Sequence, residues 1–364
     1  MRAVIIGGGI GGLAAAVALR RVGMEAHVVE RTAEIREVGA GLSLWSNAIN
    51  ALRELRLADQ VIAAGSLFER TVTQTSRGRV IATTDLAEIS RMAGAPCVCI
   101  HRAALQRILA GALPAAMVRT SARCTGFDDA TAILENGERI EADLLIAADG
   151  ISSVIRERLH GAHSPRYAGY TCWRGIIREE GILPERSALV TVGAGRQFGI
   201  FPCGTGQVYW FHTSNAPPGT RRRPDLAWAV IERTPEDAII QNDIFDRPPL
   251  RWWGRGHVTL LGDAAHATTP NLGQGACMAI EDAVVLAHCL GTVQPVEKAL
   301  REYERLRIPR TTAVIRNSWQ SGRMFQLDQP ALESVRDWFF GTSLGARLRM
   351  RMFRDLLLYR VPAL

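Results

Sequence analysis

Residues 2–30 read RAVIIGGGIGGLAAAVALRRVGMEAHVVE, and this stretch sets the fold class of the N-terminal part of the chain. The apolar run at 2–6 predicts a buried strand, the Ala/Leu/Val pattern at 13–22 predicts a helix packed closely on a sheet, and 26–29 predicts a second strand ending at Glu30. This order of elements predicts a βαβ unit with parallel strands.

Three glycines of the loop between the first strand and the helix have separate mechanical roles. Gly7 permits a tight turn, Gly9 lets the backbone approach a pyrophosphate, and Gly12 allows close packing of the helix. The helix N-terminus faces the negative charge of the phosphates. Glu30 can accept hydrogen bonds from a ribose hydroxyl. The unit predicts dinucleotide binding, and these residues alone leave both NAD and FAD open.

Two later segments each place a carboxylate where a predicted strand ends. Residues 138–159 read ERIEADLLIAADGISSVIRERL and contain Asp149, while residues 257–283 read HVTLLGDAAHATTPNLGQGACMAIEDA and contain Asp263. Open α/β sheets bind ligands at the carboxyl ends of their strands, so Asp263 could bind a polyol chain there. The turn at 273–276 offers small residues and backbone N–H groups to a flat ring. Both aspartates could instead be helix N-caps, but the buried strand before each favours the ligand role.

Composition excludes several classes of protein. The chain has 364 residues, enough for roughly two packed regions, and its 47% hydrophobic and 22% charged residues are ordinary for a globular protein. The net charge of +7 comes from scattered arginines, since Lys298 is the only lysine, and this pattern predicts no nucleic-acid partner. No membrane span, metal cluster or secretory leader is expected. The seven cysteines predict a reduced, cytoplasmic protein, with Cys97 and Cys99 in a buried strand rather than a redox pair.

Taken together, four blocks resemble the single-component FAD-dependent monooxygenases of the aromatic-hydroxylase type. This group includes para-hydroxybenzoate hydroxylase, salicylate hydroxylase, urate hydroxylase and zeaxanthin epoxidase. The blocks occur in order: GGGIGG with Glu30-Arg31, GAGLSLWSNAINALREL from residue 39, AADGISSVIR from residue 147, and GDAAHATTPNLGQGACMAIEDA from residue 262. The resemblance spans about residues 1 to 310. The combination is far more specific than any one block.

The resemblance implies FAD as the cofactor and NADH or NADPH as its reductant. Arg102 matches the family arginine that reaches the cofactor, and Asp149 with Arg156 matches a motif used for both FAD and the nicotinamide nucleotide. Asp263 would bind the ribityl chain, and backbone groups at 275–276 would meet the isoalloxazine. The cofactor-binding residues implied in this way are Gly7, Gly9, Gly11, Gly12, Glu30, Arg31, Gly41, Arg102, Asp149, Gly150, Arg156, Gly262, Asp263, Gly273, Gly275 and Ala276.

The implied fold class is α/β, with a Rossmann-like FAD-binding domain, an inserted mixed β-sheet substrate domain and C-terminal helices. Strand patterns at 170–178, 188–192, 197–202 and 207–213, with a hairpin at 71–84, build the inserted sheet. The expected domain bounds are 1–70, 99–170 and 256–330 for the discontinuous FAD-binding domain, 71–98 and 171–255 for the substrate-binding sheet, and 331–364 for the C-terminal helices.

On the strand at 207–213, period-two alternation places Gln207, Tyr209 and Phe211 on one face and Val208, Trp210 and His212 on the other. The candidate pocket residues lie on these strands. They are Trp173, Arg174, Phe198, Phe201, Tyr209 and Phe211, and we expect about half of them to be sheet core. Tyr209 is the first choice to orient the substrate, and Arg174 could pair with a substrate carboxylate or with an internal acid. By the resemblance, Pro270 would line the reaction site. Cys203 departs from the bulkier aliphatic residue common in the family, which weakens transfer of a particular substrate. His266 is interpreted as a packing residue.

The resemblance implies a monooxygenase that inserts one oxygen atom of O2 into an aromatic or other electron-rich small molecule through a C4a-hydroperoxyflavin. A flavin-dependent halogenase is disfavoured, because no lysine falls beside the substrate strands and no WxWxIP block occurs. A flavin oxidase or reductase acting on a non-aromatic substrate stays open. A regulatory flavoprotein would be expected to carry an added partner domain, and none is visible. The expected assembly is a monomer or a homodimer.

The segment 338–360 mixes apolar residues with arginines. A basic amphipathic helix of this kind can lie on a membrane surface. It can equally pack its apolar face on the FAD-binding domain, and this second interpretation is favoured.

Overall fold

The computed structural model describes residues 1–35, 40–179, 181–221 and 229–364. In this part of the chain the strands are β1 (Arg2–Ile6), β2 (Glu25–Val29), β3 (Gly41–Leu44), β4 (Ser66–Leu67), β5 (Arg70–Thr75), β6 (Val80–Asp85), β7 (Val98–His101), β8 (Val118–Arg119), β9 (Cys124–Asp128), β10 (Thr131–Leu134), β11 (Arg139–Ile140), β12 (Leu144–Ala147), β13 (Arg166–Arg178), β14 (Ser187–Gly193), β15 (Arg196–Pro202), β16 (Gln207–Asn215), β17 (Ile240–Asp246) and β18 (Val258–Leu260).

The α-helices of the same residues are α1 (Ile10–Arg21), α2 (Ser46–Glu54), α3 (Ala58–Ala64), α4 (Ala87–Ala93), α5 (Arg102–Gly111), α6 (Val154–His160), α7 (Ala229–Glu232), α8 (Asp263–His266), α9 (Gly275–Thr292), α10 (Val296–Phe325), α11 (Pro330–Gly341) and α12 (Ser343–Leu357). Short 3-10 helices occupy Ala115–Met117, Glu236–Ala238 and Pro270–Leu272.

A parallel sheet of five strands forms the first layer, in the order β18-β12-β1-β2-β8. Parallel strands bring their carboxyl ends to one edge, so Gly7, Glu30, Asp149 and Gly262 gather there, because they follow β1, β2, β12 and β18. The predicted βαβ unit is confirmed. This edge, which we call the cofactor edge, is where the motif residues meet.

Helix α9 is the central helix of the core. By length and composition alone it could cross a membrane, and it is the one helix of the described residues that passes this test. Its side chains are mostly buried, because it packs against α1, α2 and α10. The apolar character of α9 is therefore accounted for by the protein core.

A mixed sheet of seven strands lies apart from the parallel sheet, in the order β17-β13-β16-β15-β14-β5-β6. The pairs are antiparallel except β14 with β5, and β5 with β6 forms the hairpin expected at 71–84. The predicted alternation on β16 is confirmed. Val208 and Trp210 pack in an outer cluster with α7, whereas Tyr209 and Phe211 pack towards the main core.

The predicted fold class is confirmed by these two sheets and the helices that follow them. Of the C-terminal helices, α11 packs against β6 of the mixed sheet, and α12 packs against α4 and α2. The domain bounds given above stay a prediction.

All seven cysteines are free and buried. Cys99 lies in β7 and Cys97 lies just before it. Burial raises the pKa of both thiols, which disfavours a reactive thiolate at either position.

Candidate active site

The glycine loop has one crowded side and one open side. Gly7 has a φ of +110°, and a Cβ there would lie 2.4 Å from the Ala148 carbonyl oxygen. A Cβ on Gly12 would lie 1.9 Å from the Gly7 oxygen, so only glycine lets the helix approach the strand. At Gly9 a Cβ would meet no protein atom within 4 Å. The open side of the loop fits the expected approach of a pyrophosphate.

Glu30 is fixed beside this loop by three hydrogen bonds. Its Oε2 accepts from the Gly8 N–H at 2.6 Å, and its Oε1 accepts from the Thr32 N–H at 2.9 Å and the Thr32 hydroxyl at 3.0 Å. An ionised carboxylate has about four acceptor sites, so capacity remains for a ribose hydroxyl. The neighbouring Arg31 is exposed. The FAD contacts of both residues stay predictions.

One of the two carboxylate oxygens of Asp149 is hydrogen-bonded within the protein. Its Oδ2 accepts from the Val154 N–H at 3.0 Å, while Ser153 is the N-cap of α6 and accepts from the Arg156 N–H at 2.9 Å. The Asp149 Oδ1 is buried and has no hydrogen-bond partner among the described residues. Burial raises the pKa of this carboxyl. The hydrogen bond at the start of α6 therefore accounts for Oδ2 only, and Oδ1 is available to accept from a cofactor hydroxyl.

Arg156 joins the two motif segments. Its Nη1 donates to the carbonyl oxygens of Ala264 and Ala265, at 2.8 and 3.1 Å, and the side chain is buried. Burial lowers the pKa of this guanidinium to about 10. Both acceptors belong to α8, which begins at Asp263 and has Gly262 as its N-cap. Arg156 thus positions the helix that carries Asp263, and direct contact of Arg156 with the cofactor stays a prediction.

Asp263 and Arg174 lie close enough to Arg102 for their charges to act on its guanidinium. Loss of hydration by the surrounding protein lowers the pKa of the Arg102 guanidinium. The charge of Asp263 raises this pKa, and the charge of Arg174 lowers it further. Asp263 and Arg102 are nevertheless solvent-accessible, as expected for residues that line a cleft. Arg174 lies on β13 of the mixed sheet. Arg102 therefore lies between the cofactor edge and the mixed sheet.

A buried ionic network, which the sequence reading missed, lies under the two loops. His266 Nε2 lies 2.5 Å from Asp282 Oδ2, the same oxygen accepts from the Gly262 N–H at 3.0 Å, and Asp282 Oδ1 accepts from Arg307 Nε at 2.6 Å. Burial alone would raise the pKa of Asp282, but His266 and Arg307 bring it to about 2. His266 is buried and hydrogen-bonded to Asp282 through Nε2, in agreement with its interpretation as a satisfied packing residue.

A second arm of this network reaches the turn at 273–275. Arg307 Nη2 lies 2.7 Å from Glu281 Oε2, and the Asn47 amide donates to Glu281 Oε1 at 2.6 Å and to Gln274 Oε1 at 2.9 Å. All four side chains are buried. The available sequence signal was an acidic pair inside an apolar helix, at residues 281 and 282.

Tyr209 lies where the mixed sheet meets the cofactor side. A Cβ on Gly41 would come 2.3 Å from Tyr209 Cγ, so the ring packs directly on that backbone. The rings of Phe201 and Phe211 flank it, with centroids 6.4 and 6.3 Å away. The predicted pocket residues Trp173 and Phe198 instead belong to the outer cluster of the sheet. As expected, part of the candidate set is sheet core.

Three buried hydrogen-bond donors lie at the face of the mixed sheet that carries these rings, which we call the inner face. Arg174 makes a long contact of 3.4 Å with Asn242 Oδ1, and its Nε is buried without a partner among the described residues. Gln197 pairs across the ladder with Thr213, whose hydroxyl donates to Gln326 Oε1 at 3.4 Å. The Nε2 atoms of Gln197 and Gln326 are likewise buried and unpartnered in the described structure. The period-two pattern from Phe201 could have placed Gln197 here; no sequence signal placed Gln326.

The turn predicted to line the reaction site begins at Pro270, which is exposed. The next residue, Asn271, accepts a hydrogen bond from the Tyr170 hydroxyl at 2.7 Å and so ties the turn to β13. After Gly273, helix α9 starts at Gly275. The first N–H groups of a helix have no intrahelical partner, so they are available to a ring placed against this turn.

A glycine loop and carboxylates along one edge of a parallel sheet, with a mixed sheet beside them, are the features of a protein that binds a dinucleotide. A profile of the FAD binding domain family matches residues 1–318. The chain belongs to the FAD binding domain family, and it is an FAD-dependent monooxygenase.

Relatives and solved structures agree with this assignment. Aurachin C monooxygenase/isomerase from Stigmatella aurantiaca is 38% identical, and the match covers 97% of each chain. FAD-dependent urate hydroxylase from Klebsiella pneumoniae subsp. pneumoniae is 35% identical, over 86% of this chain and 88% of the other. The crystal structure of Klebsiella pneumoniae HpxO complexed with FAD and uric acid matches with a TM-score of 0.92 and 31% identity, over 98% of this chain and 97% of that one. The predicted family and the FAD cofactor are confirmed.

Proposed function

We propose that this enzyme uses NADH or NADPH and O2 to insert one oxygen atom into an aromatic or other electron-rich small molecule. The observation that carries this proposal is the aromatic wall of Tyr209, Phe201 and Phe211 on the inner face of the mixed sheet. Arg174 lies close enough to act electrostatically on both Tyr209 and Arg102, and Asp263 acts on Arg102, which links this wall to the cofactor edge. The neighbour solved with uric acid supports a ring-shaped substrate.

The division of tasks between cofactor and protein follows from the residues present. FAD, when bound, supplies the redox and oxygen-activating chemistry. The glycine loop, Glu30 and Asp149 would hold it at the cofactor edge, and Asp263 would hold its polyol chain. The aromatic wall would orient the substrate ring and exclude water from the reacting atoms.

We infer that polar atoms of the substrate accept hydrogen bonds from three buried donors that have no partner in the described structure. These donors are Arg174 Nε, Gln197 Nε2 and Gln326 Nε2. A buried donor without an acceptor costs about 1–3 kcal/mol, and a substrate oxygen that accepts from it removes that penalty. Donors of this kind favour a carbonyl or phenolate-type oxygen on the substrate ring. Arg174 adds positive charge, which favours an anionic form of that oxygen.

Tyr209 acts as a neutral group in this proposal. Burial raises the pKa of its phenol far above the ordinary value, while the nearby Arg174 charge acts in the opposite direction. The phenol therefore stays protonated at neutral pH, and it can donate a hydrogen bond to the substrate.

The test is a screen of ring compounds that carry a carbonyl or phenolic oxygen, using the FAD-loaded enzyme. NADH and NADPH consumption, O2 consumption and hydrogen peroxide are measured together, and products are weighed by mass spectrometry under isotopically labelled O2. We expect a product that has gained one labelled oxygen atom. Accelerated NAD(P)H consumption that yields only peroxide or a reduced product would contradict the proposal in favour of an oxidase or reductase.

A further inference from the structure

Exposed apolar side chains are concentrated on the C-terminal helices. Ten large hydrophobic residues are exposed in the described part of the chain, and five of them lie on α11 and α12: Leu332, Val335, Trp338, Leu344 and Leu348. Two more, Val80 and Met92, lie on β6 and α4, the elements against which these helices pack. Trp338 is 70% exposed and Val335 is 61% exposed. Contiguous surfaces of this kind mark interaction sites.

Helix α11 has an apolar stripe on its exposed side. Leu332, Val335 and Trp338 recur at three-residue intervals on its exposed side. Its buried side contains the ion pair Arg336–Asp337, with a separation of 2.8 Å. Packing on the protein therefore uses this ion pair together with Phe340, whose ring centroid lies 5.6 Å from that of Phe325. The stripe of Leu332, Val335 and Trp338 points outwards.

Helix α12 divides into two halves. Leu356 and Leu357 at its end are buried in the main core, and Phe353 packs 5.6 Å from Trp45 between ring centroids. The favoured interpretation, packing on the FAD-binding domain, therefore describes this end of the helix. Near its start, Leu344 and Leu348 are exposed.

Two arginines lie on the exposed side of α12. Arg347 and Arg351 are exposed and alternate with Leu344 and Leu348 at helical spacing. Arg354 pairs with Glu88 at 2.9 Å, whereas no ion pair in the described structure involves Arg347 or Arg351. The single acid of α12, Asp355, lies in its last turn. The free half of the helix is therefore both apolar and cationic.

We propose that this surface docks the enzyme peripherally on an anionic lipid bilayer. The docking face consists of Leu332, Val335, Trp338, Leu344, Arg347, Leu348 and Arg351. Exposed tryptophan and leucine insert at the level of the headgroups, and arginines attract anionic lipids. A second copy fits this face less well, because a two-fold contact would bring the same cationic patch against itself.

The test uses the full-length, FAD-loaded enzyme and co-sedimentation with vesicles. Vesicles of phosphatidylcholine alone are compared with vesicles that contain equal parts of phosphatidylcholine and phosphatidylglycerol. We expect binding to the anionic vesicles, weakened by added salt because exposed charges are screened. Replacing both arginines, Arg347→Gln with Arg351→Gln, should weaken the vesicle partition coefficient about 25-fold, since each contributes about fivefold. Trp338→Ser with Val335→Ser should weaken it by about tenfold or more.

Matched controls come from the loop between β17 and β18. Arg251→Gln with Arg255→Gln makes the same change in charge, and Trp252→Ser removes another exposed tryptophan. These variants should bind anionic vesicles like the unmodified enzyme, and retained FAD absorbance reports that all variants are folded. Absence of binding to anionic vesicles, or equal losses in the control variants, would overturn the proposal. So would a dimer in light scattering that the Trp338 and Val335 substitutions dissociate, since the face would then join two copies.

Discussion

The cofactor edge and the inner face of the mixed sheet are built by different kinds of sequence information. At the cofactor edge, each carboxylate follows directly after a short apolar strand, so parallel pairing brings Glu30 and Asp149 together. On the inner face, Gln197, Thr213 and Gln326 meet only because of ladder register and the position where α10 ends. The first region is specified by short local motifs, and the second depends on contacts between residues far apart in the sequence.

The largest effect is expected from the ionic network that holds the cofactor edge together. Arg307→Met removes the buried guanidinium that Glu281 and Asp282 share and leaves Glu281 only Arg310 and Asp282 only His266, so we expect the free energy of unfolding to fall by about 3–5 kcal/mol. Urea unfolding measures this, together with FAD retained through purification. Arg305→Met is the matched control, because the exposed pair of Arg305 with Glu302 contributes at most about 1 kcal/mol. Equal losses in both variants would show that the network does not support the edge.

The contact between the two regions is tested at Gly41. Gly41→Ala places a Cβ against the Tyr209 ring, and overpacking of this kind costs about 1–3 kcal/mol. Combining it with Tyr209→Ala should remove that strain, so the double variant should lose less stability than the sum of the single variants. Gly111→Ala is the control, since its Cβ would meet nothing within 4 Å. Strict additivity of the two substitutions in urea unfolding would contradict the contact.

A smaller effect is expected from acid. The pKa of Asp282 is lowered from 3.8 to about 2 in the folded protein, so this group stabilises the fold above about pH 4. That contribution, about 2 kcal/mol, should be lost as the pH falls from about 4 to 2. Asp282→Asn should be less stable at neutral pH and should lack this part of the acid dependence. Unfolding curves with the same slope against pH in both proteins would refute the assignment.

The smallest effect is expected on the substrate side. Gln197→Leu removes one buried donor, so KM for a carbonyl-bearing substrate should rise about tenfold while FAD absorbance is retained. Gln241→Leu is the matched control, because Gln241 pairs across the ladder with Trp173 on the outer face of the same sheet. A rise in KM of the same size in both variants would point to a loss of sheet structure instead.

Much of the fold and of the cofactor edge was predictable from the sequence. The glycine loop, Glu30, Asp149 and Asp263 each lie within a short pattern of strand, turn and helix, and such patterns are local. Arg156 was correctly placed in its motif, but its bonds to Ala264 and Ala265 depend on a contact between residues more than 100 positions apart. The motif around Arg156 therefore did not reveal that its guanidinium hydrogen-bonds to α8.

The substrate side was predictable only in part. Alternation along β16 placed Tyr209 correctly, because period two is a local property. It could not assign Trp173 and Phe198 to the outer face, since that depends on which side the helices cover. Gln326 lies 113 positions from Thr213, so only the folded chain brings them together.

The central claim is that the cofactor edge binds FAD and the inner face of the mixed sheet binds the substrate. It is tested by the FAD affinity of the apoprotein in the variants Gly9→Ala and Gln197→Leu, measured by quenching of flavin fluorescence. A Cβ on Gly9 would meet no protein atom and would occupy the side of the loop assigned to the pyrophosphate. Gly9→Ala should therefore keep the thermal stability of the apoprotein and weaken FAD binding by about tenfold or more. Gln197→Leu should bind FAD like the unmodified protein. Unchanged FAD affinity in Gly9→Ala, or an equal loss in Gln197→Leu, would contradict the assignment of cofactor and substrate to separate regions.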